Sequence, residues 1–247
     1  MSQNGEHTAD KGPVFQSVHP HYHKLSSWRG RVLVLEGLIG VGKSTLGQSI
    51  TNYLNSIGIE TMFFNEFVNE PLLELYLTDR KKYAFPFQVI MLRERINIYR
   101  RAWEIAKKGK FCIIDRSIYG DMAFAQMQKN DYNFTDKEWC TYMSLIKIEN
   151  LPKPSATIFL DCEPVEAFRR MQVRSIQAEV SSYSLEYFEN LYQNYLQIMT
   201  EYQCDFIVLD WNVPKEIVDP SIVSTGHGGN QLSNISLVCD QIRELFV

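Results

Sequence analysis

With 247 residues the chain holds one sizeable α/β core and is too short for two domains of average size. Its formal net charge of -4 argues against a nucleic-acid polymer as partner, because duplex binders need a basic footprint. A small anionic ligand is still allowed, because a few local cations and backbone amides suffice to hold one. No apolar run is long enough to cross a bilayer, so no membrane partner is expected.

Residues 1–27 are polar and show neither a helical nor a strand period, so a flexible leader is expected there, ahead of a single domain over 28–247. The leader carries Glu6 and Asp10, and its first arginine comes only at Arg29, which argues against a mitochondrial presequence. His19, His21 and His23 read as part of a solvated tail. The five cysteines (Cys112, Cys140, Cys162, Cys204, Cys239) have no C-x-x-C spacing and are expected to stay reduced in a cytoplasmic setting.

Regular text begins at residue 31. Residues 31–36 (RVLVLE) form a buried strand, and 43–57 have helical spacing that stops at Gly58. A second strand is expected over 59–65 and a short helix over 71–77. Residues 86–108 carry apolar side chains three and four apart (Ile90, Met91, Ile98, Ala102, Ile105) and end at Gly109, which predicts a long helix. A third strand covers 111–114. Thr135 with Glu138 makes a capping box for a helix running to 149. A fourth strand is expected over 156–161, helices over 164–174 and 185–202, and a fifth strand over 205–210. Residues 212–232 read as a long loop before a closing helix at 237–246. Short apolar strands alternating with helices predict a three-layer α/β fold: a five-stranded parallel sheet with helices on both faces. In such sheets the ligand site lies beyond the carboxyl ends of the strands.

The segment Gly37, Leu38, Ile39, Gly40, Val41, Gly42, Lys43, Ser44 satisfies G-x-x-x-x-G-K-[ST], followed by Thr45. A polyphosphate has to be met by several backbone N–H groups at once, and glycines let the chain curl that tightly. Lys43 adds a cation for the β and γ oxygens of ATP, and the Ser44 hydroxyl suits a Mg²⁺ shell. The strand before the loop and the helix after it supply the required context.

An ordered series of segments then narrows the class: EGLIGVGKST (36–45), NEFVNEPLLELY (65–76), KKYAFPFQ (81–88), DRSIYGD (115–121), PVEAFRRMQVR (164–174) and SLEYFENLY (184–192). In this order and spacing, residues 32–210 resemble the deoxynucleoside kinase family. That resemblance implies the P-loop kinase fold with a helical lid and the transfer of a phosphoryl group from ATP to the 5′-hydroxyl of a deoxynucleoside. It further implies that Glu66 accepts the hydroxyl proton, with Glu70 a nearby competitor. It places Asp115 on Mg²⁺, Arg116 on the reacting oxygens, and Arg170 and Arg174 on the lid. Gln88 would read the base edge, the pair Arg95 and Asp121 would favour a deoxypurine or deoxycytidine over thymidine, and Phe124 would stack on the base. Glu179 would receive the 3′-hydroxyl, and its usual tyrosine partner is displaced by one place, to Tyr76. Ile176 and Met122 stand where family arginines are common. The resemblance also implies a homodimer built through the 86–108 and 135–149 helices. Two rival readings share these motifs: a nucleoside monophosphate kinase such as thymidylate kinase, against which Ser117 speaks, and a silent nucleotide-binding subunit, against which Lys43, Ser44, Glu66 and Arg116 speak.

Overall fold

The computed structural model describes residues 15–17, 29–174, 180, 182–201, 206–212, 238 and 242. The elements run in chain order as strand β1 (Phe15–Ser17), strand β2 (Val32–Gly37), helix α1 (Lys43–Ser56), strand β3 (Thr61–Phe64), and helices α2 (Glu70–Thr78) and α3 (Arg80–Ala106). Strand β4 (Phe111–Asp115) and helices α4 (Ile118–Asn130) and α5 (Asp136–Glu149) follow. Strand β5 (Ala156–Asp161), helix α6 (Pro164–Arg174), helix α7 (Leu185–Glu201) and strand β6 (Phe206–Asp210) complete the described elements.

The strand order is β1-β6-β5-β2-β4-β3. The five parallel strands expected from the sequence are all present. A sixth, β1, comes from the stretch read as a structureless leader and pairs antiparallel with the outer edge of β6, Gln16 opposite Val208. Three residues with no flanking period carry too little pattern to announce a strand; the open edge of β6 supplies the missing ladder partner.

The sheet separates two apolar layers because strand side chains alternate in direction. Val32 and Val34 of β2 pack with Tyr99, Ala102 and Ala106 of α3. Leu33 and Leu35 face the opposite layer, with Leu46 and Ile50 of α1, Phe188 and Leu191 of α7, and Ala167 and Met171 of α6. Glu36, at the end of β2, is fully buried.

Helix boundaries follow their caps. Thr135 and Glu138 form the reciprocal capping box that starts α5. Asp79 ends α2 and begins α3, its side chain accepting from the Lys82 amide at 3.1 Å. Helix α3 therefore starts six residues before the expected 86, with Pro86 inside it. Proline favours a helix start, but a carboxylate cap upstream overrides that preference. Helix α4 is absent from the sequence reading. Val238 and Ile242, within the expected closing helix, are helical and buried. The loop at 212–232 lies almost wholly outside the described residues, and so do Cys204, Cys239, His19, His21 and His23.

The phosphate loop connects β2 to α1 under tight steric control. Gly40 has φ +77°, and a Cβ there would sit 2.9 Å from the Met171 amide nitrogen of α6. Gly40→Ala is expected to lower unfolding free energy by about 1–3 kcal/mol through backbone overpacking. Urea denaturation of both proteins checks this; an unchanged midpoint and slope would refute it.

Candidate functional site

The carboxyl ends of β2, β4 and β3 lie side by side and deliver the phosphate loop, Asp115 and, two residues past β3, Glu66. They form the floor of a cleft of about 960 Å³ whose walls include Gln88 and Arg95 of α3, Phe124 of α4 and Arg169, Arg170 and Arg174 of α6.

Helix α1 begins directly behind the loop, with Gly42 in the left-handed region (φ +103°) and no side chain capping its first amides. Those amides and the positive end of the helix dipole are free to meet an anion. Lys43 is buried and folds back, its Nζ donating to the carbonyls of Gly37 at 3.2 Å and Leu38 at 2.8 Å. Burial and the nearby Arg116 lower its pKa to about 8, against the pull of Asp115, Glu66 and Glu36. The Ser44 hydroxyl donates to Asp115 Oδ2 at 2.6 Å. Asp115 Oδ1 is buried without a protein partner. A divalent cation needs such a free carboxylate oxygen beside a hydroxyl, so this pair fits Mg²⁺.

Two guanidinium groups hold Glu66. Arg116 Nε donates to Oε2 and Arg95 Nη2 to Oε1, each at 2.9 Å. Burial alone would raise this carboxyl, but Arg116, Arg95 and Lys43 outweigh it and hold the pKa at about 2. Glu66 is thus ionised throughout the physiological range. Glu70 lines the same cleft at the start of α2.

Arg116 is itself an outlier, a non-glycine residue at φ +69°. Such a conformation costs on the order of 1–3 kcal/mol and persists when the surroundings over-determine it. Here they do. Arg116 Nη1 donates to the Gly37 carbonyl at 2.7 Å and to the Tyr195 hydroxyl of α7, and the guanidinium lies 5.0 Å over the Phe124 ring. The next residue is pinned by Glu36, which accepts from the Ser117 amide at 2.6 Å, its hydroxyl at 2.7 Å and the Gly120 amide at 3.2 Å. Tyr195 donates to the second Glu36 oxygen at 3.2 Å. Burial pushes the Glu36 carboxyl up, and Arg116 and the Ser117 bonds oppose that.

Above this floor, Arg95 Nε bonds Asp121 Oδ1 at 3.0 Å, and Gln88 Nε2 donates to the Asp121 main-chain carbonyl at 3.3 Å. Asp121 is fully buried and forms no part of the cleft wall. Tyr76 is buried too, stacked on Phe87 with centroids 4.8 Å apart. On the lid side, Arg170 is 9% exposed, bonds Glu166 at 2.8 Å and donates to the carbonyls of Val41 at 3.3 Å and Trp211 at 3.1 Å. The Trp211 indole donates to the same Val41 carbonyl at 2.8 Å. Arg174 reaches the cleft from an exposed position. Glu179 and Ile176 lie outside the described residues.

The structure therefore brings together the phosphate loop, Glu66, Arg116, Asp115, Gln88, Arg95, Phe124 and the lid arginines. Sequence reasoning passed over Glu36, Tyr195, Trp211 and Tyr142 of α5, whose hydroxyl donates to Asp121 Oδ2 at 2.6 Å. A charge ending an otherwise apolar strand was a usable signal for Glu36; the two tyrosines and the tryptophan sit among core aromatics and gave none.

A phosphate-cradling loop, a carboxylate facing it and arginines on three sides define a P-loop phosphotransferase site. Comparison with known proteins narrows the class. Residues 33–223 match the family described as deoxynucleoside kinase, and the chain belongs to that family. It is 30% identical over 213 residues to the deoxyadenosine kinase of Dictyostelium discoideum, covering 84% of this chain and 82% of that one. It is also 30% identical over 181 residues to the deoxyguanosine kinase of Lactobacillus johnsonii, covering 66% of this chain and 77% of that one. A solved structure of deoxyadenosine kinase from M. mycoides shares the fold, with TM-score 0.68 and 24% identity over 85% of this chain and 98% of that one. Family membership makes the chain a kinase and decides against the monophosphate-kinase and silent-subunit readings.

The Glu36 cluster generates a stability test. A glutamine there can still accept from Ser117, but it presents an N–H where Tyr195 must donate and leaves that hydroxyl proton unpaired. Glu36→Gln is expected to cost about 1–3 kcal/mol, the range for a buried unsatisfied polar group. Chemical denaturation measures it, and a loss under about 0.5 kcal/mol would contradict the role assigned to the cluster.

Proposed function

We propose that this enzyme transfers the γ-phosphoryl group of ATP to the 5′-hydroxyl of a deoxynucleoside, preferring a deoxypurine or deoxycytidine to thymidine. The observation that carries the reading is Glu66, held ionised by Arg95 and Arg116 directly across the cleft from the phosphate loop.

Phosphoryl transfer of this kind passes through a loose transition state that needs positioning and charge neutralisation more than a strong base. A carboxylate with a pKa near 2 is a weak base, but it is always ready to accept. It orients the hydroxyl and takes its proton late, as the bond to phosphorus forms. Loop amides and Lys43 bind the β and γ oxygens, and Arg116 and Arg174 neutralise the transferred group. Arg170 supports the loop from the lid side through the Val41 carbonyl. Ser44 and Asp115 would hold Mg²⁺, which supplies neutralisation of the phosphate charge. Gln88 and Arg95 face the base, and Phe124 stacks near it. Tyr76 and Glu179 are assigned to the sugar.

The names of the relatives favour deoxypurines, and the related M. mycoides enzyme has been solved with dATP and with dCTP bound. Buried, free Cys112 and Cys162, whose thiols burial raises to about 11, agree with a cytoplasmic enzyme. No described helix is long and apolar enough to cross a membrane. Exposed Ile90 on α3 and Ile148 on α5 offer apolar surface for a homodimer.

Assays with the four deoxynucleosides test the reading, and turnover of none of them would end it. Glu66→Gln is expected to retain nucleoside binding and to lose about 10²–10⁴ in kcat. Measured binding alongside steady-state rates separates that from general damage. The pH profile gives an independent check. Lys43 is charged below its lowered pKa and neutral above it, so kcat/KM for ATP should fall as pH rises through about 8. Glu66 stays ionised down to about 2, so it contributes no acid limb between pH 5 and 8. A profile flat to pH 10 would contradict the role given to Lys43.

A further inference from the structure

Trp211 follows directly on β6 and is buried, 2% exposed. Its amide donates to the Asp161 carbonyl at 2.7 Å, which continues the β5–β6 pairing by one rung and anchors the backbone from which the side chain projects. From there the indole Nε1 donates to the Val41 carbonyl of the phosphate loop at 2.8 Å. Arg170 completes a brace. Its Nη1 donates to the same carbonyl at 3.3 Å, its Nη2 to the Trp211 carbonyl at 3.1 Å, and its Nε to Glu166 at 2.8 Å. All three nitrogens of this guanidinium are thus engaged by the protein itself.

The peptide held in this way joins Val41 to Gly42, and it has two orientations of similar backbone cost. Beyond it the chain is committed: the Gly42 carbonyl accepts the first bond of α1, from the Leu46 amide at 2.9 Å. The peptide unit itself is planar, with its carbonyl and its N–H on opposite edges. Turning it over reverses the sign of the Gly42 φ, now +103°, and glycine adopts either sign about equally. In one orientation the Gly42 N–H joins the concave run of main-chain amides that an anion needs. In the other a carbonyl oxygen takes that place and repels a phosphate.

We propose that Trp211 is a positioning residue for the phosphate donor: with Arg170 it holds the Val41 carbonyl away from the cleft, so that the Gly42 N–H is presented to a polyphosphate in advance of any ligand. The proposal deepens the kinase reading above and rests on it for the identity of the donor. Preorganisation removes an ordering cost from binding. Without the indole N–H, only Arg170 holds the carbonyl, at the longer distance, and the turned-over peptide gains population. Apparent affinity then falls in proportion to the fraction of loop left competent. The acceptor end of the cleft is walled by Gln88 and Arg95 of α3 and Phe124 of α4, outside this brace.

Calorimetric titration of wild type and Trp211→Phe with three probes tests this: ATP with Mg²⁺, inorganic tripolyphosphate with Mg²⁺, and deoxyadenosine. Phenylalanine keeps a buried ring and lacks the N–H. Kd for ATP and for tripolyphosphate should rise together by roughly three- to tenfold, the effect of one hydrogen bond, while Kd for deoxyadenosine stays within about twofold. A merely structural role would weaken all three alike, and an inactive fraction changes the stoichiometry instead of Kd. Equal weakening of all three therefore overturns the proposal, and so does an ATP affinity within about twofold of wild type. Weaker ATP with unchanged tripolyphosphate overturns it too, because the indole would then act on the donor's base and not on the loop. Should Trp211→Phe not fold, Arg170→Lys keeps the charge but offers one nitrogen in place of three. Unchanged tripolyphosphate affinity in that variant refutes the brace. If wild type turns over no deoxynucleoside while tripolyphosphate binding responds as expected, the kinase reading fails and the brace stands, which keeps the two failures apart.

Discussion

One carboxylate clasped by two buried guanidinium groups organises the site. Glu66 gives one oxygen to Arg95 and the other to Arg116, and neither cation could be buried so completely without it. Removing one partner from a buried ion cluster leaves uncompensated charge, which costs far more than the pair contributes over an apolar alternative. The cluster is therefore an obligation as much as a gain. The long helix α3 and the β4–α4 turn are tied to the same point past β3, so three elements distant in sequence share one geometry. That geometry is already set toward ionised Glu66 before any ligand arrives.

The second constraint is the turn after β4. Arg116 reaches Glu66, Gly37 and Tyr195 only from a left-handed backbone that a side chain disfavours. Glu36 compensates by collecting the Ser117 and Gly120 groups that would otherwise be unpaired at the start of α4. Gly120 is required for close approach: a Cβ there would lie 2.3 Å from Glu36 Oε2 and 2.8 Å from the Tyr195 hydroxyl. Strand, turn and helix thus fit together around a buried charge, and the strain at Arg116 is supported by hydrogen bonds at Ser117 and Gly120.

Much of this was legible in the residues. The apolar strands, the phosphate loop and the Thr135–Glu138 box all rest on local pattern, and local pattern determined them. Helix α4 was missed because its start, SIYGD, reads as a turn: Gly and Asp favour turns when judged alone, and only the buried Glu36 shows why they begin a helix here. The early start of α3 was missed because Pro86 outweighed Asp79 in a reading that had no view of the cap. At the site, Glu66, Asp115, Arg116, Gln88 and Arg95 were found through an ordered set of segments. Asp121 was found too, but its burial and its bond to Tyr142 depend on contact between α4 and α5. No linear spacing encodes that contact.

The Val41 carbonyl, gripped at once by the Trp211 indole and the Arg170 guanidinium, makes one oxygen the meeting point of β6, α6 and the phosphate loop. A chromophore is thereby hydrogen-bonded to the main chain of the phosphate loop itself. Emission from Trp211, separated from the other three tryptophans by their substitution, would be a native optical gauge of loop occupancy, needing no dye and no coupled assay.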